Sequence, residues 1–359
     1  MTRPDESLIR DDDLKAKVAA ERAKGTFPVL MDTLIRIQIE IQQERDAKAA
    51  EMAARQAMKP LARRRAIVRE VIENEAVSPD SLKYIHSVLA LCGLPYRKLP
   101  PGPNERSFER KNGRMALVVH AGELRSGTGE RLPQPVPYGP KARLLLAHLS
   151  SEAVRNNSPT VEIADSLSGF MKEMGLEVRG GPRGTIQPFK DQVHALAACR
   201  MELSAWDGRN ASTSVKADLF KRTQLWFSQN PDEPTLWPTT VTFSQDFYDN
   251  LKQRAMPVNV HVLRHLATSA RKLDMYFWFN YRLHSLRDPL RVPWKSLAAQ
   301  FGDAIARERD FRARFAIDLA DIKELFPKLP VRLSDDGLHL EPAEPTVLGI
   351  PNTRLLKKS

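Results

Sequence analysis

Between Arg307 and Arg314 the sequence reads RERDFRAR, four arginines within eight residues. A guanidinium is planar and permanently charged, and its donors form a fork that fits a phosphate or the O6/N7 edge of a guanine. Phe311, Phe315, Leu319 and Ile322 recur at i, i+4, i+8 and i+11, so the segment predicts a helix with one buried stripe. Neighbouring residues on a helix are rotated by about 100°. Arg312 therefore lies to one side of Phe311 and Arg314 to the other side of Phe315, while Arg307 and Arg309 fall at the helix start. Arginines fanned over the first turns of a helix could enter a major groove. Glu308, Asp310 and Asp318 offer the competing reading, a salt-bridged face in solvent.

Other chemistries find less support. The segments GELRSGTGE and RGGPRGTIQ contain glycines but lack the lysine and hydroxyl of a phosphate-binding loop. His261 and His265 stand four apart, a spacing zinc can use, but Val262 follows the first histidine and no third ligand is evident. The sequence shows no His-apolar-His with a nucleophilic tyrosine, and no Gly-x-Ser-x-Gly elbow. The expectation is a protein that is not an enzyme and uses no cofactor or metal. Cys92 and Cys199 have no metal-ligand spacing, which fits a reducing cytoplasm better than a disulfide. No run approaches about 18 apolar residues, and the charged start MTRPDESLIRDDDLKAK is unlike a signal peptide, so a cytoplasmic protein without membrane contact is expected. A net charge of +11 over 359 residues leans toward a polyanionic partner.

The elements that must position these arginines follow from periodicity. Residues 1–80 are rich in Ala, Gln, Glu, Arg and Lys. Ile35, Ile37, Ile39 and Ile41 alternate like a strand, yet Leu30, Leu34, Ile37 and Ile41 share a helical stripe, and the flanking helix formers favour a charged helical extension. Arg63, Arg64 and Arg65 within it suit a solvated face as well as a phosphate contact. Residues 81–240 start with irregular Pro- and Gly-rich joints around a small hairpin at RMALVVHAGEL. A helix at KARLLLAHLSSEAVRNN, a short strand at SPTVEI, a second helix at ADSLSGFMKEMGLE and a third through Ile186, Phe189, Val193 and Leu196 follow, then a hairpin about Asp207-Gly208. Residues 241–342 repeat the order: two short helices, a long apolar one, PWKSLAAQFG, a turn, the arginine helix and a hairpin. The fold class is mainly α with small β wings (α+β), two tandem winged-helix domains behind the extension. Residues 343–359 read as a disordered, basic tail.

Several blocks in order carry a resemblance: YIHSVLALCGLPYR, YGPKARLLLAHLSSEAVRNNSPTVEIADSLSGFMKEMGL, FKDQVHAL, LWPTTVTFSQDFYDNL and LDMYFWFNYRLHSL with VPWKSLAAQFG. From about Ser81 to Pro342 the chain resembles the plasmid-encoded RepA family of replication initiators, and ERDFRARFAIDLADI is similar to the second winged helix of iteron-binding initiators. The resemblance implies sequence-specific binding of double-stranded DNA at repeated plasmid-origin sites, help in opening the duplex, and recruitment of host initiator and replicative helicase, with a homodimer and repression of its own gene open. It maps the second recognition helix to Arg307, Arg309, Arg312 and Arg314. The first maps to Arg183, Thr185, Gln187, Lys190 and Gln192, with Lys221, Arg222 and Lys295 as further basic contacts. A winged-helix transcriptional regulator without initiator activity, and a scaffold that binds no DNA, are the other readings.

Overall fold

The computed structural model describes residues 4–74, 81–125, 129–162, 171–172, 176–180, 184–206, 212–223, 240–303, 305 and 307–350. They belong to two compact units, Met1–Ile67 and Val68–Ser359.

The first unit contains α1 (Asp12–Ala23), α2 (Pro28–Ala57) and the start of α3 (Pro60–Asn74). The isoleucine run is helical. Met31 and Ile35 pack with Leu14 and Val18 of α1, while Ile37 is exposed. Gln42 is buried, and its Oε1 accepts from the backbone N–H groups of Arg10 (3.0 Å) and Asp11 (2.8 Å), two donors that the start of α1 leaves unsatisfied.

The second unit is α+β, built around one hydrophobic core to which residues of both 81–240 and 241–342 contribute. Strand β1 (Leu82–His86) leads into α4 (Ser87–Cys92). The hairpin β2 (Ser107–Asn112) and β3 (Met115–His120) is followed by the short pair β4 (Glu123–Arg125) and β5 (Arg131–Pro133), then α5 (Gly139–Arg155) and β6 (Thr160–Glu162). The segment read as a second helix, ADSLSGFMKEMGLE, lies mostly outside the described residues. Next come α6 (Ile186–Ala198), β7 (Arg200–Trp206), β8 (Ser212–Asp218), β9 (Phe220–Thr223) and β10 (Thr240–Phe243). The sheet order β2-β3-β7-β8 is a correction to the sequence reading. The small hairpin and the one after α6 are not separate ribbons, because Met115–His120 pairs in register with Arg200–Ala205.

The remaining elements are α7 (Gln245–Arg254), β11 (Ala255–Asn259), α8 (Val260–Leu266) and α9 (Ala270–Ser285). Strand β11 pairs antiparallel with β1, Leu82 opposite Asn259 and His86 opposite Ala255. Helix α9 is apolar on nearly every side and accordingly central: Leu273, Met275, Tyr276 and Phe279 are fully buried. Strand β12 (Leu290–Pro293), α10 (Trp294–Phe301), α11 (Glu308–Leu325), β13 (Val331–Ser334) and β14 (Gly337–Leu340) complete the chain, with sheet order β12-β14-β13. Gly337 has φ +146°, and a Cβ there would stand 2.1 Å from Val292 O, so only glycine lets β14 turn in beside β12.

The disordered tail is corrected at its start. Leu348 and Ile350 are buried, and Asn259 Nδ2 donates to Gly349 O at 2.9 Å, because two apolar side chains find space beside α9. Residues 351–359 lie outside the described residues. Among the described residues no helix is long and apolar enough to cross a membrane.

Candidate nucleic-acid interface

Helix α11 is seated by aromatic packing on its inner face. Phe311, Phe315, Leu319 and Ile322 are buried as their spacing requires. Trp294, the first residue of α10, meets Phe311 and Phe315 edge-on, with ring centroids 6.2 Å and 6.0 Å away. Its indole N–H donates to Ser334 O at 3.2 Å, which ties the helix pair to the β13–β14 hairpin. Phe301 closes the stack at 5.7 Å from Phe315. With this stripe inward, Arg307, Arg309, Arg312 and Arg314 are all exposed.

The four arginines are not equivalent. Arg312 Nε donates to Glu308 Oε1 at 3.0 Å, one helical turn back, and its guanidinium lies 5.1 Å over the Trp294 ring. It is thus pre-oriented and partly neutralised. Arg307, Arg309 and Arg314 form no ion pair among the described residues. Asp318 does not neutralise this face: it is 7% exposed and accepts from Arg271 Nε at 2.5 Å on α9. Asp321 pairs with Lys272, also on α9. Of the acidic residues of α11, Glu308 thus serves Arg312, while Asp318 and Asp321 fasten the helix to α9.

The sites mapped on the first half fare unevenly. Gln187 is exposed near the start of α6, its Nε2 donating to Asp191 Oδ1 at 2.9 Å, and Lys190 is half-buried one turn on. Thr185 Oγ1 accepts from Arg179 N at 3.0 Å and so closes the loop before α6 instead of standing free. Gln192 is a correction. It is 3% exposed and accepts from Tyr138 N at 2.7 Å, because a 3.6-residue period turns it toward α5. Arg183 lies outside the described residues. Lys221 is exposed on β9, the backbone of Arg222 stands opposite Thr242, and Lys295 is exposed at the start of α10. His261 and His265 gather no further ligands: no group of three or more His, Cys, Asp or Glu converges among the described residues.

The sequence reading missed the charges that hold α10 and α11 in place. Asp274, on α9, takes Arg143 of α5 in a two-pronged contact, Nε to Oδ1 at 2.6 Å and Nη2 to Oδ2 at 2.7 Å, with both side chains 3% exposed. Arg143 also donates to Gly139 O at 2.8 Å. Arg110, on β2, stands 3.9 Å from Asp274 and donates to Asp303 Oδ2 at 3.1 Å, in the turn that opens the arginine helix. Tyr96 lies between the two guanidinium groups, 5.3 Å from each, and its backbone N–H donates to the same Asp303 oxygen at 3.3 Å. Burial pushes the Tyr96 phenol above its ordinary range, so it stays neutral there. Gly93, at φ +67°, leaves room for Asp274, whose Oδ2 would meet a Cβ at 2.5 Å. A signal for two of these residues was present: Arg143 and Asp274 each stand at the start of an apolar run, LLLA and MYFWF.

Residues 136–292 match the family described as "Plasmid encoded RepA protein". No curated protein sequence matches the chain. Among solved structures, domain 2 and domain 3 of RctB are similar at 11% identity and a TM-score of 0.41, covering 66% of this chain and 86% of that one. That likeness is too slight to support any assignment. The family match spans α5 through β12, the helices and strands that carry Arg143, Asp274 and the first half's mapped helix. The match over residues 136–292 is thus to the family that the sequence blocks resemble, and it covers less than half of the chain.

Proposed function

We propose that this protein binds repeated sites at a plasmid origin sequence-specifically through two winged helices, opens the duplex there and recruits host replication proteins. The observation that carries the reading is the outer face of α11. Four exposed arginines stand over its first two turns while its inner face is locked by Trp294, Phe311 and Phe315. The order β12-α10-α11-β13-β14, with β14 between the other two strands, supports reading this region as a winged helix, whose second helix would enter the major groove. Helix α6 with Gln187 and Lys190 would supply the second contact, from residues 81–240. Gln192 is left out of that surface, since it is buried. The protein acts without catalysis, cofactor or metal in this reading.

The test uses fluorescence anisotropy on duplexes from beside the gene. Direct repeats about 20 base pairs apart, two turns of duplex, should bind far more tightly than scrambled copies, and supercoiled plasmid carrying them should become permanganate-sensitive next to the repeats. Equal affinity for repeated and scrambled duplexes would rule the reading out.

A further inference from the structure

A cleft of about 430 Å³ is walled by the β2–β3 turn, the end of α9, β12 and α10. Lys111, Gly113, Arg282, Arg291, Ser296 and Gln300 are among the residues that line it. Lys111 is compensated by Glu109 at 2.9 Å, and Arg291 by Asp336 at 2.7 Å. Arg282 is not. Its Nη2 donates to the neutral Asn112 Oδ1 at 2.8 Å, its guanidinium lies 5.7 Å over Trp278, and its buried Nε has no hydrogen-bond partner. Among the described residues no carboxylate pairs with it. The buried arginines Arg110 and Arg143, by contrast, both face Asp274.

A half-buried cation without a counter-charge is costly, and an anion in the cleft would compensate it. We propose that the cleft seats one phosphate group of the bound duplex, with Arg282 as its principal ligand and Lys111 and Ser296 at its edge. This rests on the proposed function. One uncompensated charge matches one phosphodiester, whereas a nucleoside polyphosphate brings several negative charges. The walls β12 and α10 immediately precede the arginine helix in the chain, and α10 packs against it through Trp294, so the cleft and the arginines belong to adjoining elements. Arg282 would grip the backbone and carry no sequence information.

The experiment compares the full chain with Arg282→Gln, which can still donate to Asn112, after thermal unfolding has shown that the variant folds. Affinity for the repeated and the scrambled duplex is measured across a salt series. The expected result is weaker binding to both by a similar factor and a salt slope shallower by about 0.9, the loss of one phosphate contact. Replacing phosphates one at a time with neutral methylphosphonate should reveal a single position that weakens the wild type and leaves the variant unchanged. A wild type that binds the repeats while the variant keeps the same slope and the same methylphosphonate sensitivity would overturn the cleft assignment alone. If the wild type showed no preference for any duplex, the proposed function would fall with it. Thermal stabilisation by inorganic phosphate that the variant loses, with an unchanged duplex slope, would assign the site to free phosphate and overturn the duplex assignment.

Discussion

Arg110 Nη2 and Asp303 Oδ2 stand 3.1 Å apart although 193 positions separate them in the chain. Arg110 belongs to the first half's sheet, and Asp303 to the turn that sets the entry angle of the arginine helix. The pair fastens this turn to a strand whose own position is fixed by β3 and β7, so the direction of α11 depends on the sheet of the first half.

Removing both partners should cost less than the two single losses added together. Arg110→Met leaves Asp303 and part of the Asp274 charge uncompensated, and we expect a loss of about 3–5 kcal/mol in urea unfolding. Asp303→Asn, at a more exposed site, should cost about 1 kcal/mol. The double variant should be more stable than the sum of the two losses implies, by roughly 1 kcal/mol or more. Simple additivity would show that the two side chains do not act together.

Asp274 should be the least replaceable charge in the second unit. It is 2% exposed and faces two guanidinium groups, so Asp274→Ala strands Arg143 in the core, at a cost of about 3–5 kcal/mol. Gly93→Ala attacks the same group from the other side, through both its positive φ and the close approach of Asp274 Oδ2. Both variants should show a lowered urea midpoint, and a Gly93→Ala protein as stable as wild type would contradict the packing described.

Two buried histidines predict the acid side of the stability profile. Burial holds His86 down to about 4, and its Nδ1 already accepts from Val88 N at 3.1 Å. Burial, followed by the nearby Lys83 charge, holds His148 down to about 3. Unfolded, both take up a proton near pH 6.5. The unfolded chain thus binds more protons below that pH, and stability should fall as pH drops from 6.5 toward 4, by about 1.4 kcal/mol per pH unit for each histidine. Above pH 6.5 they contribute no slope. His148→Gln should make the decline between pH 6.5 and 5 shallower, as chemical denaturation at each pH would show.

How far the sequence was legible depended on whether a signal was local. The buried stripe of α11 and the exposure of its arginines followed from a 3.6-residue period, and so did the helical nature of the isoleucine run in α2. The joining of β2–β3 to β7–β8 did not, because strand pairing across some eighty residues leaves no periodic trace in either strand. The same holds for β1 on β11. Gln192 misled because a polar residue in a basic segment suggests a surface, while its phase on α6 turns it to Tyr138. Thr346–Ile350 looked like a tail because its apolar residues are few, Leu348 and Ile350 being buried and Val347 partly so. Asp303 carried no local signal at all, since its partner Arg110 comes from another sheet.

The most direct test of the account compares Arg314→Ala and Arg312→Ala with Lys190→Ala on cognate and scrambled duplexes at one fixed salt concentration, each variant first confirmed to be folded. Arg314 forms no ion pair among the described residues and Arg312 is pre-oriented on Trp294 and Glu308. Each alanine change on α11 should cost about 1–3 kcal/mol on the cognate site and relax preference at one base pair. Lys190→Ala should weaken both duplexes by a similar factor. If neither arginine change alters cognate binding, the outer face of α11 is a solvated surface and the central claim is wrong.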